Sequence, residues 1–237
     1  MVLLPPFLAI MAFPVFDMAV QITPENALSP VNLLIVPFSL PLVISFTLTV
    51  GYILLFLGRV LASSATGEED HPRFPVWDRL EILEELARWI WAAMVGLAIG
   101  GLPAVFYWRT RGAVGWFDLT VISVLVVIGL GYAQMAMMIA LLHDSIAAAN
   151  PVVVVRSIAR IGKGYVQPCL VTCLTLVGIL TTWTMVLLHS PSLGLGLVGL
   201  WGCWVLTLYA ALMVVRVLGT LYYKNETRLA WFRTWKG

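Results

Sequence analysis

The residues best suited to metal or haem chemistry in this chain are three histidines, His71, His143 and His189. A shared metal needs ligands that converge on one point. The hydropathy pattern places His143 at the end of one apolar segment and His189 at the end of the next, so the two lie far apart. His71 lies in a polar stretch between two other apolar segments. We therefore predict no metal site and no cofactor. The less favoured alternative is a single axial contact from His143 or His189 to a pigment or haem, because isolated histidines more often cap helices or make local hydrogen bonds.

Nucleophilic or redox chemistry would fall to the cysteines, of which Cys169 and Cys173 are spaced to share one helix face. Two thiols without further ligands make an incomplete zinc site, and cysteine is also a common small packing residue. The chain lacks a glycine-rich phosphate loop, a zinc-protease histidine pair and a nucleophile elbow. These observations predict a protein that is not an enzyme and has no catalytic residues.

Transport chemistry would need ionisable or strongly polar groups at membrane depth, because such groups are costly there and are usually functional. Three residues are candidates: Asp17 in the first apolar stretch, Asp118 at the start of a later one, and Gln134 deeper within that later stretch. None of the three is both charged and central. This weakens the prediction of an ion-coupled carrier.

The composition indicates whether the chain is surrounded by water or by a bilayer. Hydrophobic residues make up 61% of the 237 residues, whereas in soluble domains they are roughly half. Charged residues make up 11%, against about a quarter in soluble domains. The mean hydropathy is +0.96. So little polar surface cannot cover a globule in water, and the chain is therefore predicted to lie in a bilayer.

Five stretches are long and apolar enough to cross a bilayer, since about 20 apolar residues span its hydrocarbon core. They are residues 37–61, 86–108, 117–142, 168–189 and 193–221. Residues 1–32 hold an apolar stretch broken by prolines and then a loop, and two interpretations stay open for that stretch: a broken sixth helix, or a re-entrant segment lying at the interface. Residues 222–237 are predicted to form a cytoplasmic tail. Because lipid satisfies no backbone hydrogen bonds, the sequence predicts a single integral membrane domain, an all-α polytopic transmembrane bundle.

Basic residues are distributed unequally between the two sides of these spans. Arg109 and Arg111 fall on one side, and the other twelve of the 14 Lys and Arg residues fall on the opposite side. By the positive-inside rule the strongly basic side is cytoplasmic. This places the C-terminus in the cytoplasm.

Two short cytoplasmic amphipathic helices are predicted beside the spans. In a helix over residues 77–88, Asp78, Glu81 and Glu85 lie on one face and the apolar residues on another. We interpret the face with the three acids as an acidic docking face. The second helix begins at Asn150–Pro151, a typical cap and first turn, and carries a basic face. With the basic ends of two spans, it supplies the candidates for contact with lipid headgroups: Arg59, Arg156, Arg160, Lys163 and Arg216.

Each of these charged faces has two open interpretations. The acidic face would be repelled by anionic lipid, so one hypothesis pairs Glu81 and Glu85 with Arg156 and Arg160, within one chain or with a neighbour. The alternative is a solvated acidic loop. The basic helix either lies in the plane of the headgroups or packs on its own bundle.

Small residues inside the spans indicate where helices approach closely. Gly100–Gly101 and the Gly129 and Gly131 pair have the composition of close helix–helix contacts in membranes.

Several of these motifs together resemble a known family. The run Gly51-Tyr52, Arg59-Val60-Leu61, Gly67-Glu68-Glu69-Asp70 and Phe74-Pro75-Val76-Trp77-Asp78 is similar to a prokaryotic multi-pass integral membrane family of unknown function, as is the Asn150-Pro151 to Tyr165 stretch. The resemblance covers about residues 40–222 and implies the same topology in a prokaryotic cytoplasmic (inner) membrane. It supplies no activity and no catalytic residue. The N-terminal segment and the Trp-rich tail depart from the family pattern.

The sequence as a whole predicts a non-catalytic membrane scaffold or an accessory subunit of a larger membrane protein complex. Its expected partners are membrane lipids and either other membrane subunits or a second copy of the chain, and a net charge of +2 argues against nucleic acid. The alternative is a small dimeric permease of unknown substrate. A permease predicts that Asp17, Asp118 or Gln134 lines a polar cavity, whereas a scaffold predicts a dry bundle with exposed apolar faces.

Overall fold

The computed structural model describes residues 30–67, 74–111, 115–189, 193–229 and 231. Most of these residues are helical, in α1 (Pro30–Thr66), α2 (Arg79–Gly96), α3 (Leu102–Arg111), α4 (Trp116–Leu142), α5 (Pro151–Ile161), α6 (Val166–His189) and α7 (Leu193–Leu229). A π-helical segment, Leu97–Gly101, joins α2 to α3, and the 3-10 turns Ile146–Ala148 and Gly162–Tyr165 flank α5. The described residues contain no β-strand. The prediction of an all-α chain is confirmed over these ranges.

Five helical stretches are long and apolar enough, by length and composition, to cross a membrane. They are Val43–Thr66, Arg79–Arg111, Trp116–Leu142, Pro151–Leu188 and Val198–Leu229. Their number matches the five predicted spans. Residues 1–29, with Asp17 and most of the predicted sixth segment, lie outside the described residues, while residues 30–32, predicted as loop, begin α1.

Two helices run further than the sequence pattern indicated. The acidic-faced segment and the second span form one continuous rod, because α2 starts at Arg79 and continues through the π-helical segment into α3. At the other end of the chain, α7 continues to Leu229, well into the predicted tail. Tyr222 and Leu229 are both buried in the core, and packing of this kind stabilises turns whose own sequence is polar.

The helices form a ring of neighbours in which α1 and α7 run parallel and the other adjacent pairs run antiparallel. α6 packs on α7, α7 on α1, α1 on α2, and α2 with the π-helical segment on α4, while α4 also touches α6. α1, α4 and α7 finish where α2 and α6 begin, and we call this the basic end because Arg59, Arg88, Arg216 and Lys224 lie there.

Glycines bring α2 and α4 into backbone contact. A Cβ at Gly100 would meet the Leu125 carbonyl oxygen and lie 2.6 Å from the Gly129 Cα, and one at Gly129 would lie 2.7 Å from the Gly100 Cα. The close packing predicted for Gly100 and Gly129 is therefore confirmed. The π-helical segment at this contact is followed by Pro103, whose missing N–H and bulky ring disturb the preceding turn.

The core lies at the basic end and surrounds the second half of α4. From Gly129 to Ala140 nearly every residue of α4 is buried, and Met138 and Ile139 are fully enclosed. Leu61 of α1, Val154 of α5 and Leu218 of α7 complete this cluster. The first half of α4 is exposed at Phe117, Val124 and other positions, so the bundle opens away from the basic end.

α5 begins as its sequence indicates. The Asn150 side chain accepts a hydrogen bond from the Val152 N–H at 3.0 Å, and Pro151 occupies the first turn, where its missing N–H is not needed. Gly162 follows α5 with φ of 61°, a conformation that glycine adopts without steric cost.

Candidate functional site

A cavity of about 520 Å³ with a polar lining lies at the basic end, and we call it the end cavity. It is enclosed by the ends of α1 and α4, the start of α2 and the last turns of α7. Its lining combines six acidic or basic side chains with apolar and neutral polar ones: Leu55, Gly58, Arg59, Ala62, Ala65, Thr66, Glu81, Glu85, Arg88, Leu141, Leu142, Asp144, Tyr222 and Glu226.

Glu85 is the buried carboxylate of this cavity, with only 3% of its surface exposed. Arg88 Nη1 donates to Glu85 Oε2 at 2.8 Å, and the Trp89 indole N–H donates to Glu85 Oε1 at 3.3 Å. The carboxylate can approach α1 because residue 58 is glycine, and a Cβ there would meet Glu85 Oε1. Buried charge is tolerated only when paired in this way.

Arg88 connects α2 to the turn that follows α4. Besides Glu85, its guanidinium lies 3.1 Å from the Asp144 carboxylate and 3.7 Å from that of Glu84. Asp144 adopts φ of 49°, uncommon for a residue with a side chain. The three-residue cluster of Glu85, Arg88 and Asp144 thus holds two distant parts of the sequence together at the mouth of the cavity.

Arg59 and the segment before α2 form a second connection. Arg59 Nη2 donates to Glu81 Oε1 at 3.0 Å. Nearby, the Tyr52 hydroxyl donates to the Pro75 carbonyl at 3.1 Å, and the Tyr52 and Trp77 rings stack with centroids 5.3 Å apart. These contacts fix residues 74–78 against α1.

The predicted acidic docking face is therefore used within the chain. Asp78 caps α2 by accepting from the Leu80 N–H at 2.9 Å, Glu81 pairs with Arg59, and Glu85 with Arg88. The within-chain form of the hypothesis that paired Glu81 and Glu85 with Arg156 and Arg160 was wrong, because helix rotation presents nearer guanidinium groups to both acids.

The basic residues predicted to contact lipid separate into two groups. Arg59 is paired with Glu81, and Arg160 donates to the Leu229 carbonyl at 3.0 Å, at the C-terminal end of α7. The other three, Arg156, Lys163 and Arg216, are exposed.

Asp118 has a structural role at the opposite end of the bundle. Its carboxylate accepts from the Gly115 N–H at 2.9 Å and from the Tyr107 hydroxyl at 2.8 Å, and lies 3.5 Å from Arg111 Nε. These bonds cap α4 and fasten it to α3. Asp118 does not line the end cavity.

Gln134 is buried within α4, with 5% of its surface exposed. Among the described residues neither its amide nitrogen nor its oxygen has a hydrogen-bond partner, and the same holds for the Tyr132 hydroxyl. Gln134 is absent from the lining of the end cavity. If the chain were a permease, Asp118 or Gln134 was expected to line a polar cavity. Neither of them lines the end cavity.

His143 lies just beyond α4, with its ring centroid 5.7 Å from that of Trp231. Burial lowers the pKa of His143 below its usual value, so the neutral ring is favoured. His71 and the side chain of His189 lie outside the described residues. No group of three or more His, Cys, Asp or Glu side chains suited to a metal occurs in the ranges that the structure describes.

Sequence reasoning missed Gly58, Arg88, Asp144 and Glu226 as parts of one site. The spacing of Arg88 after Glu84 and Glu85 is typical of helical ion pairs and could have indicated the local half of the cluster. Asp144 carries no such signal, since it lies 56 positions from Arg88.

Comparison of the chain with models of known protein families, with curated proteins and with solved structures finds no match. The family resemblance drawn from the Gly51–Asp78 and Asn150–Tyr165 motifs stays a prediction.

Proposed function

We propose that this chain is a non-catalytic integral membrane scaffold or accessory subunit, which packs beside other helices in a larger membrane protein complex. We place it in a prokaryotic cytoplasmic (inner) membrane with its C-terminus in the cytoplasm. The observation that carries the proposal is α6: none of the residues in its most apolar 18-residue window is buried within the chain.

α6 is nevertheless held firmly in place on one flank. The Trp183 indole N–H donates to the Thr207 hydroxyl of α7 at 3.1 Å. Nearby, Val186 packs so closely on α7 that a Cβ at Gly199 would lie 2.8 Å from it. α7 thus positions the helix, α4 touches it near Cys169, and the rest of its circumference is free for a neighbour.

The free surface of α6 is mostly apolar. Leu170, Leu174 and Val177 are each more than half exposed. The hydroxyl groups of Thr181, Thr182 and Thr184 bond to carbonyl oxygens four residues earlier, at 2.7–2.8 Å. Because these three hydroxyls are bonded within their own helix, they need no water, which suits contact with other apolar helices.

Two exposed glycines, one on α6 and one on α7, favour a helix over lipid as the neighbour. A Cβ at Gly178 of α6 or at Gly202 of α7 would meet nothing within 4 Å among the described residues. Gly178 also shares a face with Leu174, Thr181 and Met185 by its spacing. A small residue between larger ones lets a partner backbone approach closely, which is a main source of helix association in membranes.

The experiment is purification from native membrane in mild detergent, followed by mass spectrometry and an absorption spectrum. We expect further membrane subunits in stoichiometric amounts and no visible absorbance. Gly178→Phe should release these subunits without loss of the folded chain, because the added ring has open space in the isolated protein. Val126→Phe on the exposed part of α4 is the matched control and should retain them.

A colourless homodimer recovered alone would contradict the scaffold and favour the second candidate, a small dimeric permease. The specific observation in favour of that candidate is the end cavity with its buried carboxylate Glu85. Visible absorbance would reopen a role for a pigment or haem at His143 or His189.

A further inference from the structure

A second polar depression lies at the basic end, in the groove between the start of α6 and the last turns of α7. It has a volume of about 340 Å³, and we call it the basic groove. Its described lining contains two cations and no acid: Gln167, Pro168, Met213, Arg216, Val217, Thr220, Leu221 and Lys224.

The cations of the basic groove share one face of α7. Arg216, Thr220 and Lys224 follow at intervals of four residues and are all exposed. Arg216 and Lys224 are separated by about 12 Å along the helix axis at 1.5 Å per residue, a span that two long, flexible side chains can close from both ends.

Neither of these cations has a counter-charge in the described part of the chain, a property that they share with Arg79 and Arg156 but not with Arg59 or Arg88. Arg59 and Arg88 have carboxylate partners, and Arg160 bonds to a helix-terminal carbonyl. For Arg216 and Lys224 no ion pair occurs within the described ranges, and Glu226, the acid nearest in sequence, lines the end cavity instead.

Apolar surface continues from the basic groove toward the middle of the spans. Met213 and Tyr209 extend the Arg216 face along α7. Both are exposed, Met213 by 48% and Tyr209 by 62%. A cationic pocket at one end of two spanning helices, followed by an apolar stripe, matches the layout of a phospholipid with its headgroup and acyl chain.

We propose that the basic groove binds the phosphate ester of an anionic phospholipid, with Arg216 and Lys224 holding the phosphate and the side-chain amide of Gln167 donating a hydrogen bond to it. The acyl chains lie along the stripe that Met213 and Tyr209 begin. Basic pockets between spanning helices on the cytoplasmic side are suited to anionic headgroups. The proposal needs only that the chain spans a membrane, so it stands or falls independently of the scaffold proposal.

The test is native mass spectrometry of the full chain in neutral detergent, titrated with phosphatidylglycerol or with phosphatidylcholine of the same acyl chains. We expect one equivalent of phosphatidylglycerol to bind in preference to phosphatidylcholine. Replacing both cations, in R216Q/K224Q, should weaken phosphatidylglycerol binding roughly tenfold or more. The charge-retaining variant R216K/K224R should keep most of the affinity.

The matched control is R79Q/R156Q, which removes the same net charge at the basic end from two exposed positions outside the basic groove and on other helices. Its affinity should stay within about twofold of the unmodified chain, since distant exposed charges are screened. Equal losses in both double variants, or no loss in R216Q/K224Q, would overturn the proposal. A third arm uses inorganic phosphate alone: if it binds as tightly as the lipid, and R216Q/K224Q abolishes that binding, the groove is a free-phosphate site and the lipid assignment is overturned.

Discussion

Arg88 is the cation paired with the buried carboxylate of the end cavity. Its guanidinium lies 2.8 Å from Glu85, 3.1 Å from Asp144 and 3.7 Å from Glu84. Its own side chain is only 15% exposed, and that of Glu85 4%. A pair so enclosed is weak evidence of net stabilisation when intact, but breaking it leaves a buried charge without compensation.

We therefore expect Arg88→Leu to lower the free energy of unfolding by about 3–5 kcal/mol. Glu85→Gln should cost less, because it removes the charge while keeping a polar group for Trp89 and Arg88. The measurement is reversible unfolding in mixed micelles, followed by tryptophan fluorescence. Equal stabilities of Arg88→Leu and the unmodified chain would show that the cluster does not hold α2 to the end of α4.

His143 predicts a pH dependence of stability. Burial lowers its pKa in the folded state below the usual value, so the unfolded chain binds the proton more readily. The contribution of His143 is then complete above the unfolded pKa of about 6.5, and is lost as the pH falls from there through the lowered folded pKa.

The check compares unfolding of the unmodified chain and of His143→Gln between pH 7.5 and 5. The unmodified chain should lose stability more steeply over this window, and the difference between the two curves isolates His143 from the acidic residues. Parallel curves would mean that the His143 ring is as accessible to protons when folded as when unfolded.

At the scale of elements, the contact between α2 and α4 depends on glycines that exclude a side chain. The Gly100 and Gly129 backbones approach so closely that a Cβ on either would lie within 3 Å of the other helix. Gly178, by contrast, has nothing within 4 Å of such a Cβ among the described residues. The same substitution should therefore have opposite effects at the two sites.

Gly100→Ala should destabilise the protein by about 1–3 kcal/mol, since overpacking forces the helices apart. Gly178→Ala should be neutral or stabilising by up to about 1 kcal/mol, because alanine favours the helix over glycine. Thermal unfolding of both variants in the same detergent measures the difference. A destabilised Gly178→Ala would imply that this helix face is already covered in the purified protein.

Element boundaries were the least predictable part of the fold. The apolar period located the cores of the spans. It did not show that the acidic-faced segment continues into the second span, or that α7 extends to Leu229, because both depend on burial of Ile82, Tyr222 and Leu229 against other helices. Local helical spacing carries no information about those partners.

At the scale of the whole molecule, the charge asymmetry predicts orientation. The ends of α1, α4 and α7 and the starts of α2 and α6 lie together, and the sequence assigns twelve of 14 basic residues to this end. From the positive-inside rule we predict that this end lies in the cytoplasm.

A fluorescent-protein fusion at the C-terminus should fluoresce, while a periplasmic phosphatase fused there should be inactive. Insertion of the same reporters between Arg111 and Gly115 should give the opposite pair of results. The reverse pattern at both sites would place the basic end outside and remove the cytoplasmic assignment of the C-terminus.

By itself, the sequence determined the features that depend on about 20 consecutive residues. Helices follow from apolar runs because lipid offers the backbone no other hydrogen-bond partners, and the capping by Asn150 and the ion-pair spacing of Glu85 and Arg88 are equally local. Only the tertiary structure decided which distant groups meet: Asp144 with Arg88, Glu81 with Arg59, and the cations of the basic groove with no acid in the described residues. The physical reason is that helix rotation and neighbour choice are set by packing across the whole bundle, where one glycine contact or one buried charge outweighs the local pattern.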